Sequence, residues 1–178
     1  RMPVVHEEED GEYEAEEPKE HTLLLVEDND ELRQLMVKLL QREYNVYTGK
    51  NGREGMRVLE EQDVDLIVSD IMMPEMDGIE FCREVKNKFE ISHIPVILLT
   101  AKNKEEDRIE AYESGADGFI SKPFNLNLLH AKIRSLLKSR ERATQDFKKQ
   151  FVFEIRDMKY TSMDEEFLQR AFDCVNRH

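Results

Sequence analysis

The chain has 178 residues, enough for one domain with a remainder at roughly 150 residues per domain. Its 39 acids outnumber 26 Lys and Arg, residues 1–20 alone carry −7 of the net −13, and no basic stripe offers a phosphate-neutralising nucleic-acid footprint. The longest apolar runs, Leu23–Val26 and Val96–Leu99, are four residues each and cross no bilayer, while Cys82 and Cys174 make neither a disulfide framework nor a metal set; the chain reads as cytoplasmic.

Residues 1–20 combine like charges with almost no large apolar side chain, the pattern of an acidic flexible linker. From His21 short β-like runs alternate with helical periodicity, with strands expected at Thr22–Val26, Asn45–Thr48, Leu66–Ser69, Val96–Leu99 and Gly118–Ile120. Leu23–Val26 and Val96–Leu99 are continuously apolar, as strands covered on both faces should be. Leu32, Leu35, Met36, Leu39 and Leu40 form one face of the first helix, and Ile79, Cys82 and Val85 line the third. Gly49, Gly52 and Gly55 match no phosphate-loop pattern and are expected to serve the turn into the second helix. The fourth helix, about residues 104–114, has only Ile109, Ala111 and Tyr112 as apolar residues, so low local stability is expected there. Leu126, Leu129, Ile133, Leu136 and Leu137 line the fifth, with Asn125 as its N-cap. This alternation predicts an α/β, doubly wound parallel sheet with helices on both faces and a ligand at the carboxyl ends of the strands.

After about residue 142 the amphipathic pattern breaks. Ser162 and Glu165 are spaced as a capping box, and Phe167, Leu168, Ala171, Phe172 and Val175 make an amphipathic helix behind it. The expected division is a linker over 1–20, a domain over 21–142, and an extension over 143–178. The start at Arg1 and the unfinished tail both read as cuts in a longer chain.

The expected strand ends deliver Glu27 and Asp28, Asp70, Thr100 and Lys122 to one rim. Carboxylates gathered there repel one another unless a cation sits among them, and a hard divalent ion, most plainly Mg²⁺, suits their oxygens. An ammonium and a hydroxyl add donors for phosphoryl oxygens, and Asp70 is then a candidate nucleophile. The competing structural account makes Glu27, Asp28 and Asp70 caps of the following helices, with Thr100 and Lys122 merely on the surface.

Leu24-Leu25-Val26-Glu27-Asp28-Asn29 and Ser69-Asp70-Ile71-Met72-Met73-Pro74-Glu75-Met76-Asp77-Gly78 resemble the receiver domain of two-component response regulators. Ile94-Pro95-Val96-Ile97-Leu98-Leu99-Thr100-Ala101 and Gly115-Ala116-Asp117-Gly118-Phe119-Ile120-Ser121-Lys122-Pro123-Phe124 complete the resemblance, which covers residues 21–142. It implies a flavodoxin-like five-stranded sheet of order 2-1-3-4-5, flanked by five helices and followed here by the C-terminal extension. By the same resemblance Asp70 is the phosphoacceptor served by a histidine kinase. Glu27, Asp28, Asp70 and the Met72 backbone carbonyl hold Mg²⁺, while Thr100 and Lys122 contact the phosphoryl group. Phe119 with Thr100 forms the switch, Met72 and Lys102 flank the attack path and set the phosphate lifetime, and Lys122-Pro123 is a cis junction. A homodimer through the fourth helix, fifth strand and fifth helix is also implied. Gly118 stands where an acid is common, and Phe119 lacks a frequent hydroxyl.

The stretch Thr161 to Phe172 resembles the lead-in to an AraC-type helix-turn-helix domain, and the whole is similar to the receiver segment of Bacteroidetes-type hybrid sensors. This implies a parent chain that carries the histidine kinase, is anchored in a membrane, and binds DNA through an output domain beyond residue 178; the fragment itself binds neither DNA nor membrane. The leading expectation is therefore a self-phosphorylating phosphoacceptor, not an enzyme acting on external substrates, that regulates transcription. The alternatives are a phosphate-independent interaction module with a degenerate site, and a phosphatase of similar topology using Asp70. The intact acid, hydroxyl and ammonium set opposes the first; the missing general acid and substrate cap oppose the second.

Overall fold

We describe residues 19–101, 105–157, 169–171 and 173 of a computed structural model. The strands are β1 (Thr22–Val26), β2 (Asn45–Gly49), β3 (Leu66–Asp70), β4 (Val96–Thr100) and β5 (Gly118–Ser121); the helices are α1 (Asp30–Leu40), α2 (Gly52–Glu61), α3 (Gly78–Asn87), α4 (Glu105–Glu113) and α5 (Leu126–Asp157). All four strand pairings are parallel, in the order β2-β1-β3-β4-β5. Leu23–Val26, Leu66–Val68 and Val96–Leu99 are fully shielded from solvent, so the three central strands are covered on both faces. Four strands run one residue further than periodicity alone marks, to Gly49, Asp70, Thr100 and Ser121. That extra residue matters because it puts Asp70 (opposite Leu99) and Thr100 (opposite Ser121) inside the hydrogen-bonded ladder.

The described residues up to Leu129 and those from His130 onward form two compact units. In the first, Leu24, Val26, Ile67, Val96 and Leu98 of the sheet share one apolar core with Met56 and Leu59 of α2, Ile79, Phe81, Cys82 and Val85 of α3, and Ala111 of α4. In α1, Met36 and Leu40 are buried, but Leu35 is 54% exposed, contrary to the stripe read from its spacing. Leu35 lies about 100° around the helix from Met36, at the margin of the buried arc. Gly52 and Gly55 are not turn residues: both lie within α2. A Cβ on Gly52 would come within 2.6 Å of Met76 Cγ, and one on Gly55 within 2.8 Å of Phe81 Cζ. They are small because α3 packs closely against α2. Phe81, which carried no periodic signal of its own, is among the largest fully buried side chains.

Helix ends follow local chemistry. Asn29 caps α1 by accepting the Leu32 N–H, and Asn51 caps α2 by accepting that of Glu54. At α3 the Asp77 carboxylate accepts the Ile79 and Glu80 N–H groups at 2.9 Å each, while Glu80 accepts the Asp77 N–H at 3.2 Å, a full capping box. Asp77→Ala is expected to cost about 1 kcal/mol in urea denaturation, as loss of a helix cap does; a change within about 0.3 kcal/mol would show that the box contributes nothing to stability. Asn125, the expected cap of α5, accepts the Asn127 N–H at 2.8 Å. α4 has Ala111 buried but leaves Ile109 and Tyr112 more than half exposed, in line with the thin burial read from its sequence.

In the second unit α5 continues to Asp157, past the expected break at residue 142. Residues 138–150 lack an apolar stripe yet are rich in Lys, Arg, Glu, Gln and Ala, so helix propensity persists where amphipathicity does not. Phe147 and Phe151 stack one turn apart, with ring centroids 6.1 Å apart. The expected capping pair Ser162 and Glu165, and Phe167, Leu168, Phe172 and Val175, lie outside the described residues; Ala171 is helical.

Candidate functional site

The site forms where β1, β3 and β4 end and β5 runs into the Lys122-Pro123 junction. That peptide bond is cis, as the resemblance implied. Glu27 and Asp28 follow β1 directly, and Asp70 is the last residue of β3. One carboxylate oxygen from each of the three lies within 4.8 Å of the others. The Lys122 ammonium donates to Asp70 Oδ2 at 3.0 Å and to Glu27 Oε2 at 3.1 Å. Three carboxylates against one ammonium leave two negative charges, the charge that a divalent cation neutralises.

The three acids are not helix caps. Asn29 occupies that place at α1 and Asp77 at α3, which frees Glu27, Asp28 and Asp70 for other work. Asp70 is held from both sides, its Oδ1 accepting the Ile71 N–H at 2.8 Å and its Oδ2 the ammonium. Glu27 is 1% exposed, and all four of its polar atoms have partners. Its N–H donates to the Gly49 carbonyl, its carbonyl accepts from Arg33 Nη1, Oε1 accepts the Asn29 N–H, and Oε2 meets Lys122.

Burial pushes the Glu27 carboxyl above its usual range; the Asn29 N–H pulls it down, the nearby Asp70 charge adds to the rise, and Lys122 offsets it only in part. For Lys122, burial acts to lower the pKa, but the hydrogen bonds to Asp70 and Glu27 and their charges outweigh it, and the group ends above its ordinary value. The sign for Glu27 is that the fold binds its proton more tightly than the unfolded chain does. Stability therefore falls as pH rises from the ordinary glutamate value through the raised one, and ionised Glu27 burdens the fold at neutral pH. Glu27→Gln is accordingly expected to melt about 3 °C higher than wild type at neutral pH without divalent cation, the gap closing as pH falls. A lower melting temperature under those conditions would contradict this account of Glu27.

The remaining expected residues surround this cluster. Thr100 ends β4, is 7% exposed, and its carbonyl accepts the Lys122 N–H at 2.7 Å. Phe119 pairs with Leu98 and Ser121 with Thr100, so strand alternation puts Phe119 on the sheet face that Thr100 shares. The Phe119 ring is half-buried and meets Tyr112 of α4 at 4.4 Å between centroids, tilted by 60°. Met72 is 56% exposed two residues past Asp70. Lys102 lies outside the described residues. Sequence reasoning singled out neither Arg33 nor Gly78 for a role of its own. Arg33 carried a possible signal, a cation one turn into the helix behind an acidic loop; Gly78 carried none beyond its place in the motif.

The family model of the response regulator receiver domain matches residues 23–134. Histidine kinase P4 of Formosa agariphila is 36% identical over 159 residues, which make up 89% of this chain and 12% of that protein; the chain thus spans about an eighth of this relative's length. The crystal structure of the signal receiver domain of a signal transduction histidine kinase from Syntrophus aciditrophicus superposes with a TM-score of 0.64 at 38% identity, over 67% of this chain and 91% of that one. The response regulator TrrA of Thermotoga maritima, solved in complex with Mg²⁺ and BeF, superposes with a TM-score of 0.58 at 31% identity, over 65% of this chain and 98% of that one.

Proposed function

The chain belongs to the response regulator receiver family, and from that premise we propose that Asp70 takes a phosphoryl group from a histidine kinase and that the change of charge there is read out by the β4–β5 edge. One observation carries this: Glu27, Asp28 and Asp70 converge within 4.8 Å while Lys122 bridges two of them, so the nucleophile, the cation ligands and a phosphoryl-binding ammonium occupy one rim. A carboxylate oxygen of Asp70 attacks phosphorus; the bond from phosphorus to the donor's imidazole nitrogen breaks, and its electron pair stays on that nitrogen. Lys122 and Thr100 then face the phosphoryl oxygens, which carry charge that little else on the rim can match.

Carboxylate oxygens at this spacing suit a hard divalent cation. Glu27, Asp28, Asp70 and the Met72 carbonyl are the donors we assign to Mg²⁺, which when bound neutralises charge on the carboxylates and the phosphoryl group. Phosphoryl oxygens draw the Thr100 hydroxyl and Lys122 inward, and Phe119, on the same face as Thr100, follows into the space vacated. The thinly buried α4 is the element poised to move with it.

Residues 21–142 constitute the receiver, 1–20 the linker before it, and 143–178 the lead into an output module. A hybrid parent chain with its own kinase has the support of the relative named a histidine kinase, of which this chain spans 12%. A DNA-binding output domain has the support of the AraC-like lead-in at Thr161–Phe172. Ile109, Tyr112 and Leu128 are exposed on α4 and the start of α5, an apolar set suited to the homodimer implied for the family. No helix among the described residues is long and apolar enough to cross a membrane, and we assign the receiver to the cytoplasm with the kinase that serves it.

Incubation with acetyl phosphate and Mg²⁺ is expected to add a single phosphoryl group by intact mass. The adduct should vanish in Asp70→Asn and on chelation of Mg²⁺. No adduct on the wild type, together with no spectral change on beryllofluoride addition, would leave a phosphate-independent interaction module as the better account.

A further inference from the structure

We infer that Arg33 is a positioning residue for the cation-binding half of this site, holding Glu27 and Asp28 in ligating geometry without touching the phosphoryl group; this rests on the function proposed above. Arg33 lies one turn into α1, and its side chain is only 11% exposed. Nη1 donates to the backbone carbonyl of Glu27 at 2.8 Å, and Nη2 pairs with the Asp30 carboxylate. The guanidinium thus spans the loop from its first residue to the first residue of the helix, and Asp28 lies in between. A planar fork reaches two acceptors at once in a way that a single ammonium does not.

The remaining contacts of the loop show why this clamp acts on the ligands. The Asn29 N–H holds Glu27 Oε1, while the Asn29 side chain is committed to capping α1. Asp28 is exposed, and Arg33 holds the Glu27 backbone carbonyl before it and the Asp30 carboxylate after it. On the far side of the site Lys122 contacts Glu27 and Asp70. The two cations therefore divide the work: Lys122 faces the reacting carboxylate, and Arg33 holds the loop that carries the other two acids.

Partners that orient metal ligands typically govern affinity more than chemistry, so Arg33→Ala is expected to weaken Mg²⁺ binding roughly tenfold by calorimetric titration of the 178-residue chain. The rate of phosphoryl uptake from acetyl phosphate should stay within about twofold of wild type once Mg²⁺ is saturating, and fall only at limiting Mg²⁺. Arg33→Lys keeps the charge but not the fork; it should fall between the two and carries the same test if Arg33→Ala does not fold. An unchanged Mg²⁺ constant overturns the assignment, as does a saturated rate that drops as far as the affinity. A wild-type chain that binds no Mg²⁺ overturns the proposed function itself, and the role of Arg33 with it.

Discussion

Replacing Gly78 by alanine is expected to destabilise the chain by about 3 kcal/mol or more, a severe loss for one methyl group. A Cβ on Gly78 would sit 2.1 Å from the Asp70 carbonyl oxygen, 2.8 Å from Ile71 Cα and 2.9 Å from the Asp70 carbonyl carbon. All three are backbone atoms at the end of β3 and have no rotamer to yield with. Moving them is hard, because Gly78 N–H donates to the Ile71 carbonyl at 2.9 Å and Ile71 N–H to that of Leu99 at 3.1 Å. The start of α3 is therefore pressed against the backbone of the very residue proposed to accept phosphate. Urea denaturation measures the loss, and acetyl phosphate uptake by whatever fraction stays folded should fall as well, since the strain displaces Asp70. A loss below about 1 kcal/mol would mean that α3 shifts freely and that the close approach has no bearing on the site.

The second large effect concerns Lys122. Lys122→Met keeps the aliphatic stem and removes the ammonium, leaving Glu27 and Asp70 facing one another with the counter-charge gone. Removing one partner of a buried ion pair is strongly destabilising, and about 3 kcal/mol is expected at pH 7.5 without divalent cation. The pH dependence separates charge from packing. Lys122 lowers the Glu27 pKa through its hydrogen bond and its charge, so without it the already raised Glu27 moves up further. The folded variant then binds protons more tightly than its unfolded chain, and stability is regained as pH falls through the raised value. Mg²⁺ should restore part of the loss at constant pH by supplying the missing positive charge. A deficit that is the same at pH 7.5 and pH 5.5, and indifferent to Mg²⁺, would assign the effect to packing and sink the charge argument.

These two residues also show where sequence reading succeeds and where it stops. Lys122 was legible because it follows a short β-run, and strands of one parallel sheet deliver the residues at their ends to one rim whatever the loops between them do. Gly78 was legible only as a letter in a motif, since its role depends on how closely α3 approaches β3. The same limit explains Phe81, Gly52 and Gly55: each contact pairs α2 with α3 or the loop leading into it, and no period within one helix records that distance. Leu35 illustrates the converse, a residue that fits the apolar stripe but stands at its margin and faces solvent.

By itself, then, the order of residues determined the five β/α alternations, the parallel arrangement, and the presence of three acids, a hydroxyl and an ammonium at strand ends, because these depend on local periodicity and on the fixed polarity of the chain. The tertiary structure decided which carboxylates meet the ammonium, how closely α3 approaches the end of β3, and that Arg33 reaches back to Glu27. Those outcomes rest on distances of about 3 Å between residues that are far apart in the chain or joined only through a folded loop, set by packing and hydrogen-bond geometry.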